Sequence, residues 1–393
     1  MNILILNQHT KNFGDDIAGI SLIQELRKRF KDCKINIIYN TNGKLEVNDD
    51  NINHATDLSL KNIGLLQILI FLFFSLFKIK FIYNTTLREL QNLVKSSEFI
   101  FVSPCGANIG IYKDWRFLIR SLIVILLGGK LIFHNNTVGS SGNFLFDSIA
   151  KFILRRSDVY VREQASLDYL HSINVFSVRS VDTAFLFEDD TLQITEDYTV
   201  FIPTKLETWH PDFKNEDLFE DLKNKVLIDY VNFIQNNRLK LYILPHMHGE
   251  YLETELHNRY VSEFIKIGLP KEKIKILNIN DVYDYNKYIK NSTLVVSMRY
   301  HGVVMSIKNS VPFISLGYEN KMQEVCKYSN VEMLNYKLKN FKNTDFNIKF
   351  QKVWERRKEI TSTLNESNKY LKQLACIAID QTEFCVKNNI KIK

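Results

Sequence analysis

Leu294 to Lys321 reads L-V-V-S-M-R-Y-H-G-V-V-M-S-I-K-N-S-V-P-F-I-S-L-G-Y-E-N-K, and its hydrophobic rhythm changes twice. Leu294 to Ser297 is an apolar run with the length of a buried strand. A helical pattern starts near His301 or Gly302, and Phe313 to Leu316 is a second strand-length run. Two strands joined by a helix make the β-α-β unit from which parallel sheets are built. The first junction is polar where the flanks are not. A helix start offers free backbone N–H groups and the positive end of a dipole, to which Arg299 adds a fixed charge and His301 a titratable ring. The stretch Ser297 to Lys321 therefore predicts an anion-binding element for phosphate or carboxylate, with Tyr318 and Lys321 returned to the same sheet edge.

The same alternation runs outward in both directions. Toward the N-terminus, Val200 to Pro203, Lys240 to Leu244 and Ile274 to Leu277 read as strands with helices between most of them. At the start of the chain, Ile3 to Leu6, a helical pattern from Ile17 to Phe30 and Ile35 to Tyr39 form another β-α-β unit. Phe99 to Ser103, Lys130 to Phe133 and Asp158 to Val161 continue that series. The acidic run Glu188, Asp189 and Asp190 separates the two series, as a linker does. The expected fold class is α/β, with two doubly wound Rossmann-like domains at 1–190 and 191–345 and a C-terminal helical extension at 346–393.

Composition narrows the function classes. A chain of 393 residues is long enough for two ordinary domains, and 45% hydrophobic with 24% charged residues is the balance of a folded globular protein. The net charge of +7 is spread over scattered lysines without a basic tail, which argues against nucleic acid and favours anionic small molecules or a negatively charged membrane surface. Five widely spaced cysteines without a C-x-x-C pair suit a reducing compartment and no metal site. The start M-N-I-L-I-L-N lacks the features of a secretory signal, so the expected location is cytoplasmic. The apolar segment Ile63 to Phe77, followed by Lys78 and Lys80, is shorter than the roughly 20 residues of a membrane span. It reads either as a core helix or as a peripheral contact with the inner membrane face through residues 63–80.

In open α/β sheets, ligands bind beyond the carboxyl ends of strands, so the polar residues there are the site candidates. Asn12 to Asp16, N-F-G-D-D, follows the first strand; Asp15 and Asp16 suit either a helix N-terminus or hydrogen bonds to sugar hydroxyls. Ser103 to Asn108, S-P-C-G-A-N, holds Gly106 in a ligand-facing loop at the end of the strand Phe99 to Ser103. His246 and His248 in L-P-H-M-H-G-E sit after Lys240 to Leu244, with no third ligand nearby to make a metal site.

Several of these segments, in this order, resemble the polysaccharide pyruvyl transferase family. They are N-F-G-D-D at Asn12 to Asp16, V-Y-V-R-E-Q-A-S at Val159 to Ser166, V-D-T-A-F at Val181 to Phe185, and S-M-R-Y-H followed by V-P-F-I-S-L-G-Y and Lys321. The chain departs from the family pattern in having Gly106 alone where a run of glycines is usual, and no proline at Asn135 to Ser140. The resemblance implies a GT-B-like pair of domains with an interdomain cleft, the first on the acceptor side and the second on the donor-anion side. It implies a transferase that moves a ketal-forming pyruvyl group from phosphoenolpyruvate to a sugar of a cell-surface glycan or its precursor. No cofactor, metal or nucleotide is needed, since phosphoenolpyruvate is itself the donor substrate.

The implied catalytic residues are His301, as proton donor, and Arg299. Donor contacts fall to Arg162, Arg299, Ser297, Lys321, Tyr318 and His246, and acceptor contacts to Asn12, Gly14, Asp15, Asp16 and Gly106. The partners are a small-molecule donor and a glycan acceptor, free or lipid-linked, with the sugar, linkage and oligomeric state left open. Two alternatives also stand: a GT-B-type glycosyltransferase using a sugar nucleotide, and a non-catalytic relative.

Overall fold

Continuous apolar runs of four to six residues bury both faces of a strand, and that is how the chain builds two parallel sheets. The computed structural model describes residues 1–60, 63–77, 79–81, 83–190, 193–210, 213, 218–339 and 344–388. It divides into two compact units: 1–11, 15–188 and 372–393 in the first, 12–14 and 189–371 in the second. The short segment Asn12–Gly14 thus groups with the second unit, and the end of the chain with the first.

The first unit holds seven strands: β1 (Asn2–Gln8), β2 (Lys34–Tyr39), β3 (Ile52–Ala55), β4 (Phe99–Val102), β5 (Leu131–Asn136), β6 (Asp158–Val161) and β7 (Val178–Arg179). Their order is β3-β2-β1-β4-β5-β6-β7, with every pairing parallel. The order reverses between β1 and β4, where Leu6 pairs with Val102. At such a reversal the two flanking crossovers leave on opposite faces and a crevice opens at the carboxyl ends of the strands. Ile3, Leu4, Ile5 and Leu6 are fully buried, as the central strand of a doubly covered sheet requires.

The second unit repeats the plan with six strands: β8 (Tyr198–Ile202), β9 (Lys240–Ile243), β10 (Ile274–Ile276), β11 (Leu294–Ser297), β12 (Phe313–Gly317) and β13 (Asn335–Lys337). The order is β10-β9-β8-β11-β12-β13, again parallel throughout, and it reverses between β8 and β11, where Ile202 pairs with Ser297. The expected strands all form within two residues of their predicted ends, except that β5 runs three residues past Phe133. β3, β7 and β13 were not expected. All three lie at sheet edges, where one side lacks a neighbour and the apolar run that marks a central strand is absent.

Ile63 to Phe77 forms a helix over Leu65–Leu76. Ile68, Phe71 and Ser75, spaced three and four apart, are its buried stripe. The chain ends in a helix over Arg357–Lys387, 31 residues long. In the first unit its last turns hold Arg29 through Asp380 and Glu383, and its Leu374 carbonyl accepts from Ser180 Oγ at 2.7 Å. Among the described residues, no helix is long and apolar enough to cross a membrane.

Candidate functional site

The reversal point of the second sheet is where its polar residues collect. β11 ends at Ser297, whose hydroxyl donates to the Arg299 carbonyl at 2.9 Å and accepts from the Arg299 N–H at 3.0 Å. These two bonds turn the chain out of the strand and start the helix Tyr300–Lys308 with Arg299 in extended geometry at its cap. Arg299 brings no side-chain acceptor to the first turn, so the positive end of the helix stays available to an anion. Gly302 is dictated by this turn: a Cβ there would sit 2.3 Å from Ser297 Oγ and 2.7 Å from Ile202 Cδ1. Only glycine lets the first turn press against β8 and β11.

Arg299 is 8% exposed, and one terminal nitrogen bonds Glu253 while its buried Nε has no partner. A buried guanidinium N–H left unpaired is costly, and a bound oxyanion would satisfy it. Beside it, the rings of His301 and His246 lie nearly parallel with centroids 6.3 Å apart. The Phe13 N–H donates to the His246 carbonyl at 3.0 Å, and the Phe13 ring stacks on His248 and Tyr285. A Cβ on Gly14 would fall 2.0 Å from His301 Nδ1, so this glycine is where the backbone lies against the imidazole. Asn12 Oδ1 accepts from the Gly14 N–H at 2.9 Å and shapes that turn.

His246 Nδ1 meets the Tyr285 hydroxyl at 2.8 Å. Burial first, then the positive charge of Arg299 and the neighbouring histidines, holds the His246 pKa well below its ordinary value, so the ring is neutral. Farther along, Lys321 Nζ is 2.8 Å from Glu319 and 5.6 Å from the ring centres of both Tyr300 and Tyr318. His210 approaches the other Glu319 oxygen at 3.4 Å. Each cation of the predicted anion site therefore arrives with a carboxylate, Glu253 for Arg299 and Glu319 for Lys321. Neither glutamate was singled out in the sequence. Glu253 lies 46 residues from its partner, and only the fold joins them. A cavity of about 530 Å³ opens beside Glu253, lined also by Lys205, Thr208, Thr254 and Arg259.

The remaining candidates sit in the first unit. Arg162, expected to contact the donor, is 3% exposed; its guanidinium bonds Asp182 at 2.6 Å and Thr137 Oγ1 at 3.1 Å. Asp15 and Asp16 occupy the first turn of the helix Phe13–Arg29, where their charge suits the dipole. Gly106 lies in the loop after β4, its carbonyl accepting from the Asn108 N–H at 2.8 Å.

That loop also carries a cluster that went unpredicted. The side-chain amides of Asn40 and Asn108 both donate to Asp114 Oδ2, at 2.7 and 3.2 Å, and both reach His9 Nε2, at 3.0 and 2.7 Å. Burial lowers the His9 pKa, and a neutral ring accepting at Nε2 fits these donors. Beneath them the fully buried Arg120 bonds Asn7 and Asn40, its pKa pressed down to about 10 by burial. The cluster lies at the carboxyl ends of β1, β2 and β4, at the reversal point of the first sheet. Its one sequence signal was an arginine inside the apolar helix W-R-F-L-I-R-S-L-I-V-I-L. Among the described residues, no group of three or more His, Cys, Asp or Glu side chains could hold a metal ion.

A family model described as polysaccharide pyruvyl transferase matches residues 12–320. No curated protein matches the chain. Among solved structures, the UDP-GlcNAc 2-epimerase of Methanocaldococcus jannaschii is 13% identical, covering 90% of this chain and 92% of its own at a TM-score of 0.58. That of Neisseria meningitidis, bound to UDP-GlcNAc, is 10% identical over 97% and 99%, also at 0.58. The Anabaena protein Alr3699/HepE in complex with UDP-glucose is 12% identical over 99% and 100%, at 0.56. At such identities the likeness is one of fold, which is GT-B-like.

Proposed function

This chain belongs to the polysaccharide pyruvyl transferase family, and from that premise we propose that it transfers a pyruvyl group from phosphoenolpyruvate to two hydroxyls of a glycan sugar, forming a ketal. The observation that carries the reading is Arg299, whose buried Nε lacks a partner at the start of the helix Tyr300–Lys308, two residues before His301, whose ring lies beside His246.

In this mechanism His301 delivers a proton to C3 of the enol while C2 becomes cationic. A sugar hydroxyl bonds to C2 and loses its proton, giving a tetrahedral ketal phosphate. The C2–O bond to phosphate then breaks, a second hydroxyl closes the ketal and releases its proton, and inorganic phosphate departs. Arg299, Lys321 and the backbone N–H groups after Ser297 hold the donor's carboxylate and phosphate. Tyr318 lines the site beside Lys321, and neutral His246 braces the His301 ring. Glu253 and Glu319 keep the two cations oriented until the donor arrives. In the first unit, the His9, Asn40, Asn108 and Asp114 cluster supplies amide donors, a neutral ring and a carboxylate acceptor of the kind that grip sugar hydroxyls, with Asp15 and Asp16 in the first turn of the helix Phe13–Arg29 and Gly106 in the loop after β4. Asn12 and Gly14 then act by fixing the backbone against His301.

The test is phosphate release by the purified protein from phosphoenolpyruvate with a panel of glycans. Release that depends on an acceptor and is lost in His301→Ala supports the reading. No release above background with any acceptor would count against it.

A second reading is favoured by one observation. A cavity of about 390 Å³ is lined by Phe13, Met247, His248, Leu252 and Leu277, and the buried His257 Nε2 that lines it has no partner. Apolar walls with one unpaired ring nitrogen suit a nucleobase, and the Anabaena and Neisseria proteins are bound to UDP sugars. On this reading the chain is a glycosyltransferase, or takes its acceptor sugar as a nucleotide. Calorimetry separates the two: binding of a uridine diphosphate sugar without any heat from phosphoenolpyruvate favours the second.

A further inference from the structure

The helix Leu65–Leu76, L-L-Q-I-L-I-F-L-F-F-S-L, carries no charged residue and is apolar apart from Gln67 and Ser75. One stripe, Ile68, Phe71 and Ser75, is buried in the first unit. The opposite stripe is open. Leu65, Leu66, Leu69, Phe73, Leu76 and Phe77 are each more than half exposed, and Leu66 reaches 71%. Soluble monomers rarely leave so many large side chains of one helix in water, because each exposed Leu or Phe forgoes its transfer free energy. The rest of the surface beside it continues the pattern. Ile79 is exposed, and Tyr83 is 73% exposed on the segment that packs edge-on against Phe74 through its ring. The neighbouring helix Trp115–Leu126 presents Trp115 and follows the exposed Ile111 and Tyr112.

Charge identifies what covers this face. From Ile63 to Arg88 the chain has Lys78, Lys80 and Arg88 and no aspartate or glutamate. Lys80 is exposed just past the helix, and Lys78 lies outside the described residues. An aliphatic and phenylalanine centre with tyrosine, tryptophan and lysine at its margin is the composition of a helix lying in a bilayer interface: the rings settle at headgroup depth and the ammonium groups meet lipid phosphates. A helix of 12 residues is about 18 Å long, too short to cross about 30 Å of hydrocarbon, so it lies on the membrane and does not span it. We propose that the exposed stripe of Leu65–Leu76, with Ile79, Lys80 and Tyr83, docks the first unit onto a bilayer rich in anionic phospholipid. Asp114, which belongs to the hydroxyl-binding cluster, caps the helix packed beside this one. Docking would thus bring that cluster to the lipid surface, where a sugar carried on a lipid phosphate is found. The docking itself stands independently of the reaction.

The experiment is flotation of the full chain with phosphatidylcholine vesicles containing about one third phosphatidylglycerol, against phosphatidylcholine alone. The wild type is expected to float with the anionic vesicles, weakly with the neutral ones, and less at raised salt. Leu66→Gln, Leu69→Gln and Phe73→Gln together, all on the open stripe, should lower the bound fraction by about tenfold or more, and Lys80→Glu by about fivefold on anionic vesicles alone. Hydrogen exchange of the wild type needs no variant: protection on adding vesicles should centre on 65–83. Failure to float, flotation of the triple variant like wild type, or protection elsewhere overturns the proposal. So does light scattering that shows a wild-type dimer and a triple-variant monomer without lipid, since a second copy would then cover the face. Phosphate release from phosphoenolpyruvate with a soluble glycan should be unchanged in the triple variant, so that loss of docking and loss of the proposed reaction are read separately.

Discussion

At the reversal point of the second sheet stand two cations, Arg299 and Lys321, two carboxylates, Glu253 and Glu319, and the paired rings of His246 and His301. At the reversal point of the first stand amides, a neutral histidine and one aspartate, with Arg120 sunk beneath them and bonded to amide oxygens. The topology that opens a crevice is the same in both; the side chains placed in it are not. An oxyanion needs fixed positive charge and oriented N–H groups, whereas a sugar hydroxyl needs a donor and an acceptor close together, which amides, a neutral imidazole and a carboxylate supply. The contrast is what motivates placing donor and acceptor on different units.

The sharpest way to break the contrast is to remove charge from the second site. His301→Ala or Arg299→Ala should each lower kcat by about 10²-fold or more, while melting changes by no more than a few degrees. Arg299→Lys keeps the charge but loses the fork, and recovers only part of the rate. Equal losses from substitutions in the His9 cluster would erase the proposed division of labour.

Next in size is Gly14→Ala. The new methyl would occupy the space of the His301 ring, 2.0 Å from Nδ1, and push it off His246. We expect kcat down by about tenfold with stability lowered by roughly 1–3 kcal/mol, read from turnover and urea unfolding. Wild-type turnover in this variant would show that the ring's position is not critical.

On the first unit, Asp114→Asn leaves the shape of the cluster but removes the charge that both amides donate to. The expected effect is a rise of about fivefold in KM for the glycan with kcat and the donor KM little changed. A change in the donor KM would instead move the cluster to the other substrate.

The smallest effect compares the units in acid. Burial holds His134, in the first unit, down to about 3 and His257, in the second, down to about 4, from an ordinary 6.5. The unfolded chain takes up these protons near 6.5 and the folded one does not, so the unfolded state binds more protons in that window. The stability associated with the neutral rings is complete above pH 6.5 and is lost as pH falls toward 4 and then 3. Urea midpoints measured between pH 7 and 4.5 should fall, and His257→Gln should flatten the fall. A midpoint that rises on acidification would exclude this account.

The central strands and both β-α-β series could be read from the chain because a strand buried on two faces needs an unbroken apolar run, and such runs are local. Arg299, His301 and Ser297 were legible for the same reason: they follow one another at a strand end. The edge strands β3, β7 and β13 were not, since an edge makes no comparable demand on composition. Arg162 was read as a donor contact, and its ion-pair partner Asp182, 20 residues on, is found only by the fold. The apolar helix at 65–76 left two readings open because periodicity cannot divide a helix that is almost wholly apolar; burial assigns one stripe to the core and leaves the other open.

What the amino-acid sequence determined by itself is the pair of parallel α/β sheets, the polar turn at Ser297 to His301, and the ordered motifs by which the family is recognised. These rest on short-range patterns of burial and backbone geometry. Tertiary structure alone decided that Glu253 balances Arg299, that Gly14 lies against the His301 imidazole, and that His9 and Asn40 meet Asn108 and Asp114 over Arg120. Those are contacts between residues tens to hundreds of positions apart, whose distance is set by which strands become neighbours and not by any spacing along the chain.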